Sequence, residues 1–217
     1  MSLLMKFLWL RKHSELKIVL AVLLILIALP ISAVVIVATS GFAIASAAVA
    51  ALNPITHEVD IFNVTGQKID SIKLTTVWPT RGYVSDEFGT YDSVRQELNL
   101  GRHTGIDIAN RSGRFGEPVT PFMEGTVIAV DNLGLGTCGQ YVRIEHIDTI
   151  QSLYCHLEST NGRKIGDAVK PGDTIGLMGS TGASTGAHTH FQINVNGIPV
   201  NPRTFMVGEP DQSSVGG

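Results

Sequence analysis

The chain has 217 residues, enough for one domain of ordinary size and an appendage. Its net charge is −3, from 16 Lys and Arg against 19 Asp and Glu, which argues against nucleic acid as a partner. Glycine is abundant, at 23 residues, and aromatics make up only 6%, a composition suited to short strands joined by many turns.

The mean hydropathy of +0.21 comes largely from one apolar tract, Ile18 to Leu52. Its first part, Ile18 to Ala38, is interrupted only by Pro30 and Ser32. A membrane-spanning helix needs about 20 apolar residues, so this segment is long enough. Lys6, Arg11, Lys12 and Lys17 precede it, and no comparable basic cluster follows closely. The positive-inside rule then makes residues 1–17 a cytoplasmic basic terminus, 18–39 a single transmembrane helix, and everything later extracytoplasmic. A buried core helix is the poorer reading, because soluble helices rarely lack polar residues on every face. Ala45-Ser46-Ala47 has the small-x-small form of a signal-peptidase site, so a cleaved, secreted form stays open. The tract exceeds the apolar core of about 7–15 residues usual in signal peptides, which favours a retained anchor.

Asn53-Pro54 breaks the helical pattern. Residues 40–77 read as a stalk, strand-rich from 55 onward, where Val59, Ile61, Val64, Ile69, Ile72 and Leu74 alternate in places with polar residues. His13 and His57 have no partner nearby in sequence and read as surface imidazoles. Beyond Trp78, glycine recurs every few residues between short apolar runs: Gly125–Val130, Tyr141–Glu145, Gln151–Cys155, Thr174–Met178 and Thr189–Val195. These read as antiparallel strands with tight connections, one of them at the turn-like Val169-Lys-Pro-Gly-Asp173, and no amphipathic helix stands out. Residues 206–217 read as a polar, flexible tail.

Four histidines and an aspartate in three short stretches stand apart. His188 and His190, two residues apart on a strand, aim at one face. The approach to them, Ser180 to Gly186, is made of small residues that let backbone come close to a ligand. His103 and Asp107 are four apart, about 13 Å on a straight strand, so sharing an ion requires Thr104-Gly105 to bend the chain. Asp107 also lies between Ile106 and Ile108, where a carboxylate wants a compensating cation. His156 ends the run Ser152–Cys155, and by itself reads as an ordinary strand-end residue. His146, in Ile144-Glu-His-Ile147, is ambiguous on spacing and is read as structural. Imidazole and carboxylate are zinc ligands, and three of them with an open position make a hydrolytic site.

The region 78–205 resembles the lysostaphin-type, or LytM-like, zinc endopeptidases, also called the glycyl-glycine endopeptidase family. The resemblance rests on several motifs in order: Trp78-Pro79 with Phe88-Gly89, His103-Thr-Gly-Ile-Asp107-Ile-Ala109, Gly116-Glu-Pro-Val119, Gly125-Thr-Val127 and Tyr154-Cys-His156-Leu157. It continues through Gly166-Asp-Ala-Val-Lys-Pro-Gly172, Ile175-Gly176, Gly179-Ser-Thr-Gly182 and Ser184-Thr-Gly186 to His188-Thr-His190-Phe191. The resemblance implies a mainly β fold, an antiparallel sheet or barrel-sandwich platform with a groove between loops. It implies one zinc ion per chain held by His103, Asp107 and His190, with His156 and His188 as catalytic residues beside it. Which of the two moves the proton and which steadies the oxyanion stays open. The implied substrate is the peptide part of bacterial peptidoglycan, and residues 90–102, whose spacing departs from the family's, would form one groove wall. The competing reading is a catalytically silent relative that scaffolds or activates another wall hydrolase, and the filled ligand positions favour activity. A small anchored wall hydrolase suits division, conjugation, secretion or phage machinery, and nothing in the sequence selects among these.

Cys138 and Cys155 are the only cysteines. A hairpin about residue 148 would bring them near each other, and outside the cytoplasm such a pair can oxidise. Zinc ligation by Cys155 is the poorer alternative, because neighbours on a strand point oppositely and His156 is the residue expected to face the site.

Overall fold

The computed structural model describes residues 49–210 apart from 74, 76, 98, 99 and 148. The expected cytoplasmic terminus (1–17), transmembrane helix (18–39), first stalk residues (40–48) and last tail residues (211–217) lie outside the described residues. Among the described residues, no helix is long and apolar enough to cross a membrane.

The chain runs through β1 (Ala50–Leu52), β2 (Glu58–Phe62), β3 (Lys68–Lys73), β4 (Tyr83–Asp86), α1 (Ser93–Glu97), β5 (Ile106–Ala109), β6 (Pro118–Val119) and β7 (Gly125–Asp131). It continues through β8 (Gln140–Ile147), β9 (Ile150–Ser159), β10 (Ala168–Val169), β11 (Gly176–Met178), β12 (His188–Val195) and β13 (Ile198–Val200). The five-residue helix α1 is consistent with the expectation that no amphipathic helix stands out here. It is too short to carry an amphipathic period, and Asp92 starts it by accepting from the Arg95 amide.

The fold is mainly β and antiparallel, as expected. The large sheet has the order β10-β7-β8-β9-β12-β5-β4, with β11 bridging β6 and β9 and β13 against β12. β9 is central and reads as a near-continuous buried run from Leu153 to Leu157, because strands flank it on both sides. Phe122, Tyr154 and Phe191 centre the core, with the Tyr154 and Phe191 rings stacked at 5.4 Å.

The region expected as a stalk is packed from residue 49 onward. β1, β2 and β3 form a three-stranded sheet. Val49, Val59 and Ile61 enter the same hydrophobic core as Ile106, Phe191 and Phe205. The alternation of β2 explains this, since Val59 and Ile61 are fully buried while Glu58, Asp60 and Phe62 are only half-buried. Residues 206–210 are likewise held rather than tail-like. The Trp78 indole N–H donates to the Val207 carbonyl (3.1 Å), the Val207 amide donates to Thr75 O (2.8 Å), and Arg203 pairs with Glu209 (2.8 Å).

Candidate active site

The floor of the site follows from strict alternation in β12. Thr189, Phe191, Ile193 and Val195 are fully buried in the core. His188, His190, Gln192 and Asn194 therefore share the opposite face. β5 does the same, with Ile106 and Ile108 in the core and Asp107 and Ala109 opposite. The antiparallel register sets His190 directly across from Asp107, and His188 across from Ala109.

His103 reaches this pair because the chain turns at Thr104-Gly105 before β5 begins. The expectation that Gly105 serves conformational freedom is corrected, because its backbone is not in the left-handed region. What it supplies is space. A Cβ there would lie 2.3 Å from the Phe191 carbonyl oxygen and 2.9 Å from the His190 ring.

Three atoms converge: His103 Nε2, Asp107 Oδ1 and His190 Nδ1, separated by 3.0, 2.9 and 2.9 Å. The other nitrogen of each ring identifies its proton. His103 Nδ1 faces the Glu87 carbonyl (2.9 Å) and Asp86 Oδ2 (3.1 Å), so it is the donor and Nε2 is bare. His190 Nε2 faces Gln192 Oε1 at 3.5 Å, leaving Nδ1 bare. Two lone pairs and a carboxylate oxygen thus meet in a buried place, which is repulsive unless a cation joins them. A tetrahedral zinc with bonds of about 2.0–2.2 Å separates its ligand atoms by roughly 3.3–3.5 Å, close to this triangle. The residues therefore fit the ion, and the carbonyl and amide contacts behind the rings supply the outer hydrogen bonds that orient such ligands. Burial works to raise the Asp107 carboxyl, but the His103 and His190 imidazoles beside it hold it far below the usual carboxylate range.

His156 arrives by a different route. Alternation would send it to the core, opposite Cys155, but its φ is +63°. The pairing between β8 and β9 shifts register at this point, and both Cys155 and His156 line the cleft. The argument from alternation that set Cys155 aside as a ligand therefore fails. A disulfide to Cys138, with Cα atoms 5.0 Å apart, is what removes it from metal binding. The His156 amide donates to the Cys138 carbonyl (2.8 Å), and its Nδ1–H donates to the Thr181 carbonyl (2.8 Å). Burial, with the adjacent His188 imidazole, pushes His156 down to about 4, so it is neutral at pH 7. His188 lies 4.7 Å from it, centroid to centroid, with Nδ1 on the Gly186 carbonyl (2.9 Å) and Nε2 3.7 Å from Asp107 Oδ2.

The small-residue loop 180–186 has a use beyond the one expected. A Cβ at Gly182 would strike the Gly139 amide at 2.3 Å, and the Ala183 amide donates to the Thr137 carbonyl (2.8 Å). Its smallness lets it lie against the loop that carries Cys138.

Several residues escaped the sequence reading. Arg95, on α1, holds Asp86 through Nε (3.2 Å) and Nη2 (2.9 Å) and comes within 3.7 Å of Asp107 Oδ2. Asp86 also accepts from Thr90 Oγ1 (2.7 Å), so the 90–102 segment is tied to the site through one carboxylate. No local pattern marks Asp86 or Arg95. Gln192 was legible in principle, since it is two residues beyond His190 on the same strand face. His146 is where it was read to be, away from the cleft, and is held by Glu124 O (2.8 Å) and Ser152 Oγ (2.7 Å). His57 is exposed.

His156, His188 and His190, with Asp107, line an open cleft of about 620 Å³, and His103 is buried beneath them. Asp92, Arg95, Leu100 and Arg102 form one wall, as expected of the 90–102 segment, and Ala183 to Ala187 belong to another.

Residues 101–202 match the model of peptidase family M23. The DD-carboxypeptidase/endopeptidase Mpg of Neisseria meningitidis is 36% identical over 109 residues, which is 50% of this chain and 24% of that protein. The murein hydrolase activator NlpD of Salmonella dublin is 34% identical over 129 residues, 59% of this chain and 30% of that protein. The chain thus spans a third or less of the length of these curated relatives. A crystal structure of a zinc-containing peptidase from Vibrio cholerae superposes with a TM-score of 0.52 at 27% identity, covering 70% of this chain and 47% of that one. Fold, ligand geometry and these matches agree: residues 101–202 belong to a peptidase family M23 domain.

Proposed function

We propose that this chain is a zinc endopeptidase that cleaves peptide cross-links or stem peptides of bacterial peptidoglycan. The observation that carries the reading is the triangle of His103, Asp107 and His190 on the floor of an open cleft. When bound there, zinc supplies Lewis acidity that acidifies a water and polarises a carbonyl. His103 and His190 are held ready by the acceptors behind their rings, and Asp107 contributes the negative charge. His156 and His188 serve proton transfer and charge stabilisation. Each has Nδ1 fixed on a carbonyl, of Thr181 or Gly186, which leaves Nε2 to the cleft. A bare Nε2 accepts the proton of the attacking water. The same atom, once protonated, donates to the developing oxyanion or to the departing amine.

The similarity to a murein hydrolase activator supports a second reading, in which the domain controls another wall hydrolase. The complete ligand set favours the first. Zinc analysis of the purified chain, together with mass spectrometry of fragments released from cell wall, separates the two. One equivalent of zinc and released muropeptides are expected, and intact wall after incubation with the zinc-loaded chain overturns the enzyme.

We also place the domain outside the cytoplasm, tethered by residues 18–39, on the strength of the apolar tract and the basic residues before it. A periplasmic reporter fused after residue 52 is expected to be active, with the chain retained in membranes after an alkaline wash. Release by that wash excludes the tether.

A further inference from the structure

We infer that the cleft continues into a second, cationic subsite that binds a carboxylate of the peptide substrate, a proposal that rests on the peptidase reading. The subsite is a cavity of about 490 Å³ lined by Arg81, Arg111, Arg114, Phe115 and Glu117. It holds three guanidinium groups and one carboxylate, in a chain whose overall charge is −3. Such a concentration of positive charge against the overall sign focuses anions.

Arg81 is the decisive residue. Its Nε and Nη2 are shut off from solvent, and neither has a hydrogen-bond partner. The Glu117 carboxylate stands 3.8 Å from Nε, beyond hydrogen-bond reach. A guanidinium offers a planar fork of donors that matches a carboxylate, and burying those donors unpaired is costly. Both atoms are also closed to the cavity as it stands, so a ligand carboxylate pairs with them once the Arg81 side chain, 27% exposed, turns outward.

The loop that supplies the other two arginines is already shaped. The Asn110 side chain donates to the Arg114 carbonyl (2.6 Å) and accepts from the Arg114 amide (2.9 Å) and Ser112 Oγ (3.0 Å). Arg111 lies over the Tyr83 ring, 5.5 Å from its centroid, and Tyr83 lines the main cleft. Asn110 borders both cavities, so they lie on either side of one residue. Asn110 follows Asp107 by three residues, just past the end of β5, a distance of about 10 Å in extended chain. A substrate lying along the cleft with its scissile bond at the histidines would therefore bring a carboxylate three or four residues away to the arginines. Phe115, 58% exposed, offers an apolar surface for the aliphatic part of the same residue.

The test is calorimetric binding of two synthetic peptides to the full-length chain: an acidic peptidoglycan stem tetrapeptide and its carboxamide form. The acidic peptide is expected to bind about tenfold tighter. Arg81→Gln and Arg114→Gln should each remove most of that preference, Arg81→Lys should retain part of it, and the remote surface change Lys164→Gln should leave it intact. Arg114 is exposed, so its variant guards against a folding defect at Arg81. Equal affinity for the two peptides, or a preference that survives both Gln variants, overturns the subsite. Digestion of cell wall by the same samples reads the peptidase proposal separately. A carboxylate preference without digestion leaves the subsite standing and removes the peptidase, and digestion without the preference does the reverse.

Discussion

The domain holds two sets of histidines largely shielded from water, and they are wired in opposite ways. At His146 every polar atom is matched. Nδ1–H donates to Glu124 O, and Nε2 faces Ser152 Oγ. Ser152 in turn lies 2.9 Å from the Tyr154 hydroxyl, which accepts from the Phe122 amide. At His103 and His190 the outer nitrogens are matched and the inner ones are not, so lone pairs face one another beside a carboxylate. Both sets are largely shielded from water, so burial does not distinguish a working histidine from a structural one. The distinction is whether the hydrogen bonds close without an additional positive charge.

Breaking the open set should produce the largest effects. His103→Ala is expected to lose the metal and to lower wall hydrolysis by about 10³-fold or more, read as zinc content and released muropeptides. A variant with normal zinc and normal hydrolysis would remove the contrast between the two sets. His156→Ala should keep zinc at one equivalent while lowering the rate by about 10²–10⁴-fold, the usual worth of a general acid or base. Loss of zinc in that variant would make His156 a ligand instead.

The closed set should respond through stability alone. His146→Ala leaves Ser152 and the Glu124 carbonyl without their partner in the interior, at a cost of about 2–3 kcal/mol. In a chain of this size that lowers Tm by roughly 4–12 °C in calorimetry, with zinc content unchanged. The smallest effect is a pH slope. Burial holds His146 down to about 4, against the opposing pull of the Glu124 and Met123 carbonyls. An ordinary histidine in the unfolded chain titrates near about 6.5. Between these values the unfolded chain binds the extra proton, so stability falls as pH drops from 6.5 toward 4. His146→Gln should flatten urea-denaturation stability across that window relative to the parent, by at most about 3 kcal/mol at its acid end. An unchanged slope would place the acid sensitivity elsewhere.

The strands were legible because β12 and β5 each bury one face, which writes a period of two into their sequences. The same period made His188 and His190 readable as a pair on the cleft face. It misled at Cys155: a bulge with positive φ at His156 breaks the pleat, both residues line the cleft, and the disulfide is what excludes Cys155. Asp86 and Arg95 had no local signal, because their value lies in contacts with His103 and Asp107. The packed sheet at 49–73 also exceeded what its pattern conveyed. Val59 and Ile61 announce a buried face, and only the folded chain reveals that it rests on the core shared with Phe191.

By itself the sequence determined the ligand types, the antiparallel β class and the faces on which His188, His190 and Asp107 lie, since these depend on residue chemistry and strand periodicity. Tertiary structure decided which lone pairs meet, which histidine has its hydrogen bonds closed, and where three arginines gather around the unmatched donors of Arg81. Those outcomes depend on distances between segments far apart along the chain, set by strand register and loop packing, to which a local pattern carries no reference.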